Sequence, residues 1–402
     1  LDLFVGGRVR PGNYPLSPRS AILKNEGGTF TDITAAVCPD CMALGMVTTA
    51  IWTDFDKDGL IDLLVVGEWM PITFLKHTKS PLGESVFENV TTSYGFENSQ
   101  GWWNSILPTS GPKGNPTYLL GNFGKNIRWK ASEQSPVIMV AKDFDGNQSI
   151  DPVMFQYLGD GMYPVAGRDA LVGQVPSWKN RFLKYAEFAQ IKKEAFFTKS
   201  DLENSIELKV HNFSSSLLFK TENGFELKEL PNETQISPVF GMAVSQGLRS
   251  QQMLTVGNFY GNETITGRYD TGKGEVLSLN HNDLSIGTIH NSGFNVDGEG
   301  RALASLTMGD GSQVYIVSQH QGAVKVFKEQ LSKEEVELLV LEKDEFKVEY
   351  YQEGNLIRVE EFPYGQGYLS QSSRKIPISK RIEKVVISDF AGNKRTVLFE
   401  RK

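Results

Sequence analysis

What the chain lacks narrows it first. It has two cysteines and five histidines in 402 residues. The histidines (His77, His211, His281, His290 and His320) are scattered, with no motif among them. Both cysteines sit in Cys38-Pro-Asp-Cys41, where a full zinc site would need two more ligands and none is nearby. A redox pair should open a helix after a strand, and the flanks Phe30–Thr34 and Gly45–Thr48 supply no such unit. A local disulfide is therefore the first expectation, unpaired thiols the second, and the pair is expected to be dispensable for activity. No apolar run approaches the roughly 18 residues of a membrane-spanning helix. There is no basic stripe and the formal net charge is −7, so nucleic acid is excluded as a partner. Helical periodicity is missing except in one segment, and 39 glycines with 24 phenylalanines and 13 tyrosines suit short strands and tight turns.

What is present is a repeated acidic loop. Asp54-Phe-Asp56-Lys-Asp58-Gly-Leu60-Ile-Asp62 returns as Asp143-Phe-Asp145-Gly-Asn147-Gln-Ser149-Ile-Asp151. Oxygen side chains at loop positions 1, 3, 5 and 9, with the backbone carbonyl of Leu60 or Ser149 at position 7, form the donor set of a hard cation such as Ca²⁺. An EF-hand is excluded, because position 12 is Val65 or Met154 rather than a bidentate Glu. Neighbouring carboxylates repel by up to about 4 kcal/mol per pair at an effective dielectric near 20. A cation is thus expected in both loops, and more tightly in the loop with four Asp. Each loop runs straight into an apolar stretch, Leu63–Val66 or Pro152–Phe155, read as a strand. Laid over Asp62–Gly67, the opening Asp2–Gly6 places Asp2 at position 9, so the chain is expected to start inside such a loop as part of a longer protein.

A strand ending in Gly and a polar or aromatic turn recurs at Leu3–Arg8, Leu64–Trp69, Tyr118–Gly124 and Leu254–Gly261. A turn with a short strand recurs at Asn25–Thr34, Val86–Thr91 and Glu222–Leu227. Units of about 50 to 60 residues with some four short strands predict propeller blades. The 136 residues from Gly121 to Gly257 would hold two units plus an insertion. The expectation is an all-β propeller of six or seven blades over residues 1–328, with the first blade incomplete. The blades at Phe240–Gly257 and Arg301–Phe327 lack an acidic loop, since Ser245–Gln252 carries no carboxylate and Asp310 stands alone. Residues 168–204 predict a helical insertion, N-capped by Ser177, with Trp178 and Phe182 either packed down or offered to a partner. Lys328–Lys343 reads as a connector. Hairpins at Phe346–Glu360 and Ile382–Phe399 make residues 329–402 a small β module.

These loops and the D-L-x-V-x-G strands resemble the FG-GAP, or VCBS, repeats of integrin-type propellers. Asp2–Pro15 (DLFVGGRVRPGNYP), Gly67–Thr73 (GEWMPIT), Gly101–Ile106 (GWWNSI), Tyr163–Asp169 (YPVAGRD) and Gly257–Asp270 (GNFYGNETITGRYD) resemble cartilage-acidic-protein-like members from Bacteroidota. Tyr364–Ser373 (YGQGYLSQSS) resembles their C-terminal ASPIC/UnbV module, although Arg374–Ser379 departs from its usual continuation. The resemblance implies a secreted or lipid-anchored protein on the outer face of a bacterial outer membrane, beside SusC/SusD-like uptake complexes. The expected function is a non-catalytic, calcium-stabilised binding or scaffold propeller with a protein partner. The alternative is a glycan-active hydrolase or lyase, for which Glu68 beside Trp69, Arg268-Tyr269-Asp270, and Trp102 with Trp103 are the polar and aromatic candidates.

Overall fold

A computed structural model describes residues 1–80, 83–245, 252–280, 283–287, 289–329 and 336–399. The expected strand content is present. Sheet A holds β1 (Leu3–Val5), β2 (Ala21–Glu26) and β3 (Thr29–Asp32), followed by one helical turn, α1 (Thr34–Val37). Sheet B is the meander β4 (Met46–Thr53), β5 (Asp62–Met70), β6 (Thr73–Lys79) and β7 (Ser85–Asn89), with β8 (Gly101–Trp102) paired to β5. Sheet C begins with β9 (Ser105–Ser110) and β10 (Pro116–Gly121). The chain then leaves to form sheet D from β11 (Val137–Lys142), β12 (Asp151–Leu158), β13 (Gly161–Pro164) and β14 (Ile206–Val210). It returns to complete sheet C with β15 (Ser216–Thr221) and β16 (Gly224–Glu229), β15 pairing directly with β10. Sheet E is β17 (Val239–Ser245), β18 (Gln252–Gly257), β19 (Glu275–Asn280) and β20 (Asp283–Gly287), and sheet F is β21 (Gly300–Thr307), β22 (Gln313–Gln319) and β23 (Lys325–Lys328).

Strand faces alternate, so a sheet buried on both sides reads as an unbroken apolar run. Leu63 and Val65 of β5 pack toward Ile22 of sheet A, whereas Leu64 and Val66 pack with Tyr118 and Leu218 of sheet C. Leu119 and Leu217 point the other way, onto Met253 and Leu277 of sheet E. Leu254 and Val256 then meet Leu303 and Val317 of sheet F. Sheets A, B, C, E and F therefore stack in sequence order. The repeated Gly stands where backbones come together: a Cβ on Gly67 would lie 2.2 Å from the Met46 carbonyl oxygen, and one on Gly257 1.5 Å from that of Pro238.

In the interval from Gly121 to Gly257, expected to hold two units plus an insertion, sheet D is nested between the second and third strands of sheet C. Its far face is covered by residues 168–204. One long helix is not formed there. The segment breaks into α2 (Arg168–Gln174), a 3-10 turn at Pro176–Asn180, α3 (Tyr185–Phe188), α4 (Lys193–Phe196) and α5 (Lys199–Leu202). Ser177 lies inside the 3-10 turn, and the capping box belongs instead to Thr198 and Asp201.

The C-terminal hairpins form as expected. β24 (Val336–Val340) pairs with β27 (Lys375–Ser379), and β25 (Glu345–Gln352), β26 (Asn355–Glu361), β28 (Lys384–Asp389) and β29 (Lys394–Leu398) form one sheet in the order β26-β25-β28-β29. Leu339, Val348, Tyr350, Ile376 and Val385 share its core. Residues 330–335 of the expected connector lie outside the described residues, as do 246–251 of the carboxylate-free stretch. Among the described residues no helix is long and apolar enough to cross a membrane.

Candidate metal centres

The two acidic loops take one backbone path from different sequences. Positions 4 and 6 both have positive φ, at Lys57 (69°) and Gly59 (88°) in the first loop and at Gly146 (77°) and Gln148 (70°) in the second. The glycine has thus exchanged places between the two left-handed positions. The side-chain turns repeat as well. Asp58 N–H donates to Asp56 Oδ1 at 3.1 Å, and Asn147 N–H to Asp145 Oδ1 at 3.2 Å. Leu60 N–H donates to Asp58 Oδ1 at 2.8 Å, and Ser149 N–H to Asn147 Oδ1 at 2.7 Å. Position 9 is buried in both and closes the loop by accepting the N–H of the position-2 Phe, Phe55 to Asp62 at 3.2 Å and Phe144 to Asp151 at 3.0 Å. Asp62 also accepts His77 N–H at 2.8 Å, and Asp2 accepts Asn25 N–H at 2.9 Å from the corresponding place in sheet A.

Of the ten residues marked in the sequence, six come together in two triads. Asp54, Asp56 and Asp62 each offer an oxygen within 4.8 Å of the others, as do Asp143, Asp145 and Asp151. Asp58 is outside the first triad, and Asp58 and Asn147 hold the turns through Leu60 and Ser149. All-oxygen triads of this size can hold a hard metal ion. Burial, reinforced by the Asp56, Asp58 and Asp54 charges, pushes the Asp62 carboxyl up to about 8. Asp151 is raised for the same reasons, burial first and then the Asp145 and Asp143 charges.

Two lysines absent from the sequence reading change the first loop. Lys76 on β6 pairs with Asp56 and lies 3.2 Å from Asp58, and its ammonium is held strongly protonated by those hydrogen bonds. Its place follows from register, because Leu63 of β5 pairs with Leu75 and Lys76 is the next residue of β6, on the side of the acidic loop. Lys347 of the C-terminal module reaches Asp54 Oδ2 at 3.2 Å. Glu361 accepts the Asp54 N–H at 3.1 Å and the Thr53 hydroxyl, and burial raises its carboxyl to about 7.

Most of the alternative enzyme candidates have structural partners. Glu68 pairs with Arg8 and accepts the Tyr14 hydroxyl at 2.5 Å, while Trp69 Nε1 donates to that hydroxyl at 2.6 Å. Trp102 and Trp103 are both buried, as is Tyr269, and Arg268 lies over Tyr260. Trp178 and Phe182 are 2% and 3% exposed, packed with Phe188 and Phe196 against sheet D, so they are not offered to a partner. His77 stacks on Phe87, and His281 lies outside the described residues. Cys38 and Cys41 form a disulfide, buried between sheets A and B beside α1 and a 3-10 turn that the sequence reading did not expect. No protein-family model matches the chain, and no curated protein does either.

Proposed function

We propose that this chain is a non-catalytic, calcium-braced binding or scaffold protein of the FG-GAP type, built as a β-propeller and displayed at the bacterial cell surface to a protein partner. The observation that carries the reading is the pair of acidic loops, which share one backbone path although only five of their nine positions carry the same residue. Hard oxygen ligands on a loop that feeds a strand suit Ca²⁺, at the roughly 10⁻⁴ to 10⁻³ M affinity of extracellular modules. The serial face-to-face order of sheets A, B, C, E and F supports the propeller reading, each sheet acting as a blade. The Cys38–Cys41 disulfide supports an oxidising compartment. The non-catalytic reading rests on Glu68, Trp69, Trp102 and Trp103, which are already engaged in packing or hydrogen bonds. An accessory place in a SusC/SusD-like uptake complex is what the family resemblance adds.

Calcium titration by calorimetry, with thermal melts in chelator, tests this reading. Chelation should lower the melting temperature, and Asp145→Asn should remove most of that difference. Identical melts with and without chelator, or saturable turnover of a glycan by the purified chain, would count against it.

A further inference from the structure

The two loops share a backbone path but differ in what neutralises them. Among the described residues no lysine or arginine pairs with Asp143, Asp145 or Asp151. In the first loop Asp56 and Asp58 share Lys76, and Asp54 is paired with Lys347. Two ammonium groups supply the charge of one divalent cation, at the carboxylates such a cation would gather.

One of the two comes from nearly three hundred residues away. Lys347 on β25 is the direct cross-strand partner of Glu361 on β26. The hairpin thus presents a cation and an anion side by side, and both engage the same residue. Lys347 takes the Asp54 carboxylate, while Glu361 takes the Asp54 N–H and the Thr53 hydroxyl. The Thr53 hydroxyl is itself 2.6 Å from the buried Tyr118 hydroxyl of sheet C. Two residues before Glu361, Val359 N–H donates to Ser110 Oγ at 3.1 Å, and the Val359 side chain fills the space beside Gly114, where a Cβ would come within 2.3 Å. A second contact lies at sheet F, where Ser373 N–H donates to the Ser305 carbonyl at 2.7 Å. The clamp on Asp54 is therefore part of a continuous seat.

We propose that the first acidic loop is the receptor for the C-terminal module, that Lys347 and Lys76 are its resident counter-cations, and that a divalent cation enters this loop only in competition with them. The competition rests on the calcium reading above, whereas the receptor role does not. The two loops then divide the work. The second is the metal brace, and the first is a joint whose occupancy by metal or by lysine is linked to docking of residues 336–399. Linkage makes the effect reciprocal: whatever factor the lysines impose on the metal, the metal imposes on the docked module.

The test uses the full chain. Asp145→Asn removes the second loop as a binding site, so calorimetric titration with CaCl₂ then reports the first loop alone. Adding Lys76→Met and Lys347→Met to that background should tighten Ca²⁺ binding by about five- to a hundredfold, the usual range of site-to-site coupling. A metal-free arm follows hydrogen exchange at the Asp54 and Val359 amides in chelator. Lys347→Met should accelerate both by about tenfold or more, and Lys347→Arg should keep them protected. First-loop Ca²⁺ affinity unchanged by the two lysine substitutions would overturn the competition. Unchanged exchange in Lys347→Met would overturn the receptor role. If the wild-type chain binds no Ca²⁺, the calcium reading and the competition fall together, while the metal-free arm still decides the receptor role.

Discussion

Single residues set the chain's pH response. Glu275 on β19 is held by Thr255, and burial pushes its carboxyl up to about 7. An unfolded Glu titrates near 4.3, so the native state keeps a proton that the unfolded chain releases. The stability this gives is fully present below about pH 4 and is lost as pH rises through about 7. Glu275→Gln keeps the side chain neutral. It should make the protein more stable than wild type at pH 8 by about 1–2 kcal/mol, with little difference at pH 4. Urea denaturation at both pH values checks this, and a pH-independent difference would contradict it. Asp62 is raised through the same pH range when no cation is bound, so the profiles should be compared in chelator.

At the scale of elements, residues 168–204 are a cover rather than an arm. Trp178, Phe182, Phe188 and Phe196 form an aromatic cluster over Phe155 of sheet D. Trp178→Ala should cost about 3–5 kcal/mol, as large buried aromatics do. Leu183, Tyr185 and Leu202, 68%, 63% and 48% exposed, are the large apolar or aromatic residues of this cover that a partner could reach. Leu183→Ser should leave the thermal melt within about 0.5 kcal/mol of wild type. A large loss from Leu183→Ser, or none from Trp178→Ala, would show that the cover packs differently. Removing 174–199 altogether would strip sheet D of its core, so point substitutions are the cleaner probe of partner binding.

For the whole molecule, the C-terminal module has its own core, while its seat reaches sheets B, C and F. Truncation before Val336 should leave the stacked sheets folded with a lowered melting temperature, because Asp54, Ser110 and Ser305 lose their partners. Circular dichroism melts would read this. Complete unfolding of the truncated chain would mean that the module is part of the main core. At the ends of the stack, Leu3, Val5 and Phe30 of sheet A and Leu306 and Val326 of sheet F are exposed.

The sequence by itself determined the all-β class, several strand positions, the C-terminal hairpins and the two acidic loops. These depend on local periods and fixed loop spacings, which a chain carries wherever it folds. Unbroken runs such as Leu63–Val66, read only as strands, lie in sheets covered on both faces. Only tertiary structure decided the rest. The nesting of sheet D inside sheet C depends on β15 returning to β10 across some ninety residues, and no local pattern encodes which strand a later strand will join. The inward turn of Trp178 and Phe182 depends on a sheet face made elsewhere. Lys76 could have been found by register once β5 and β6 were paired, but Lys347 could not. Its meeting with Asp54 is a contact between modules, set by how two separately patterned surfaces fit together.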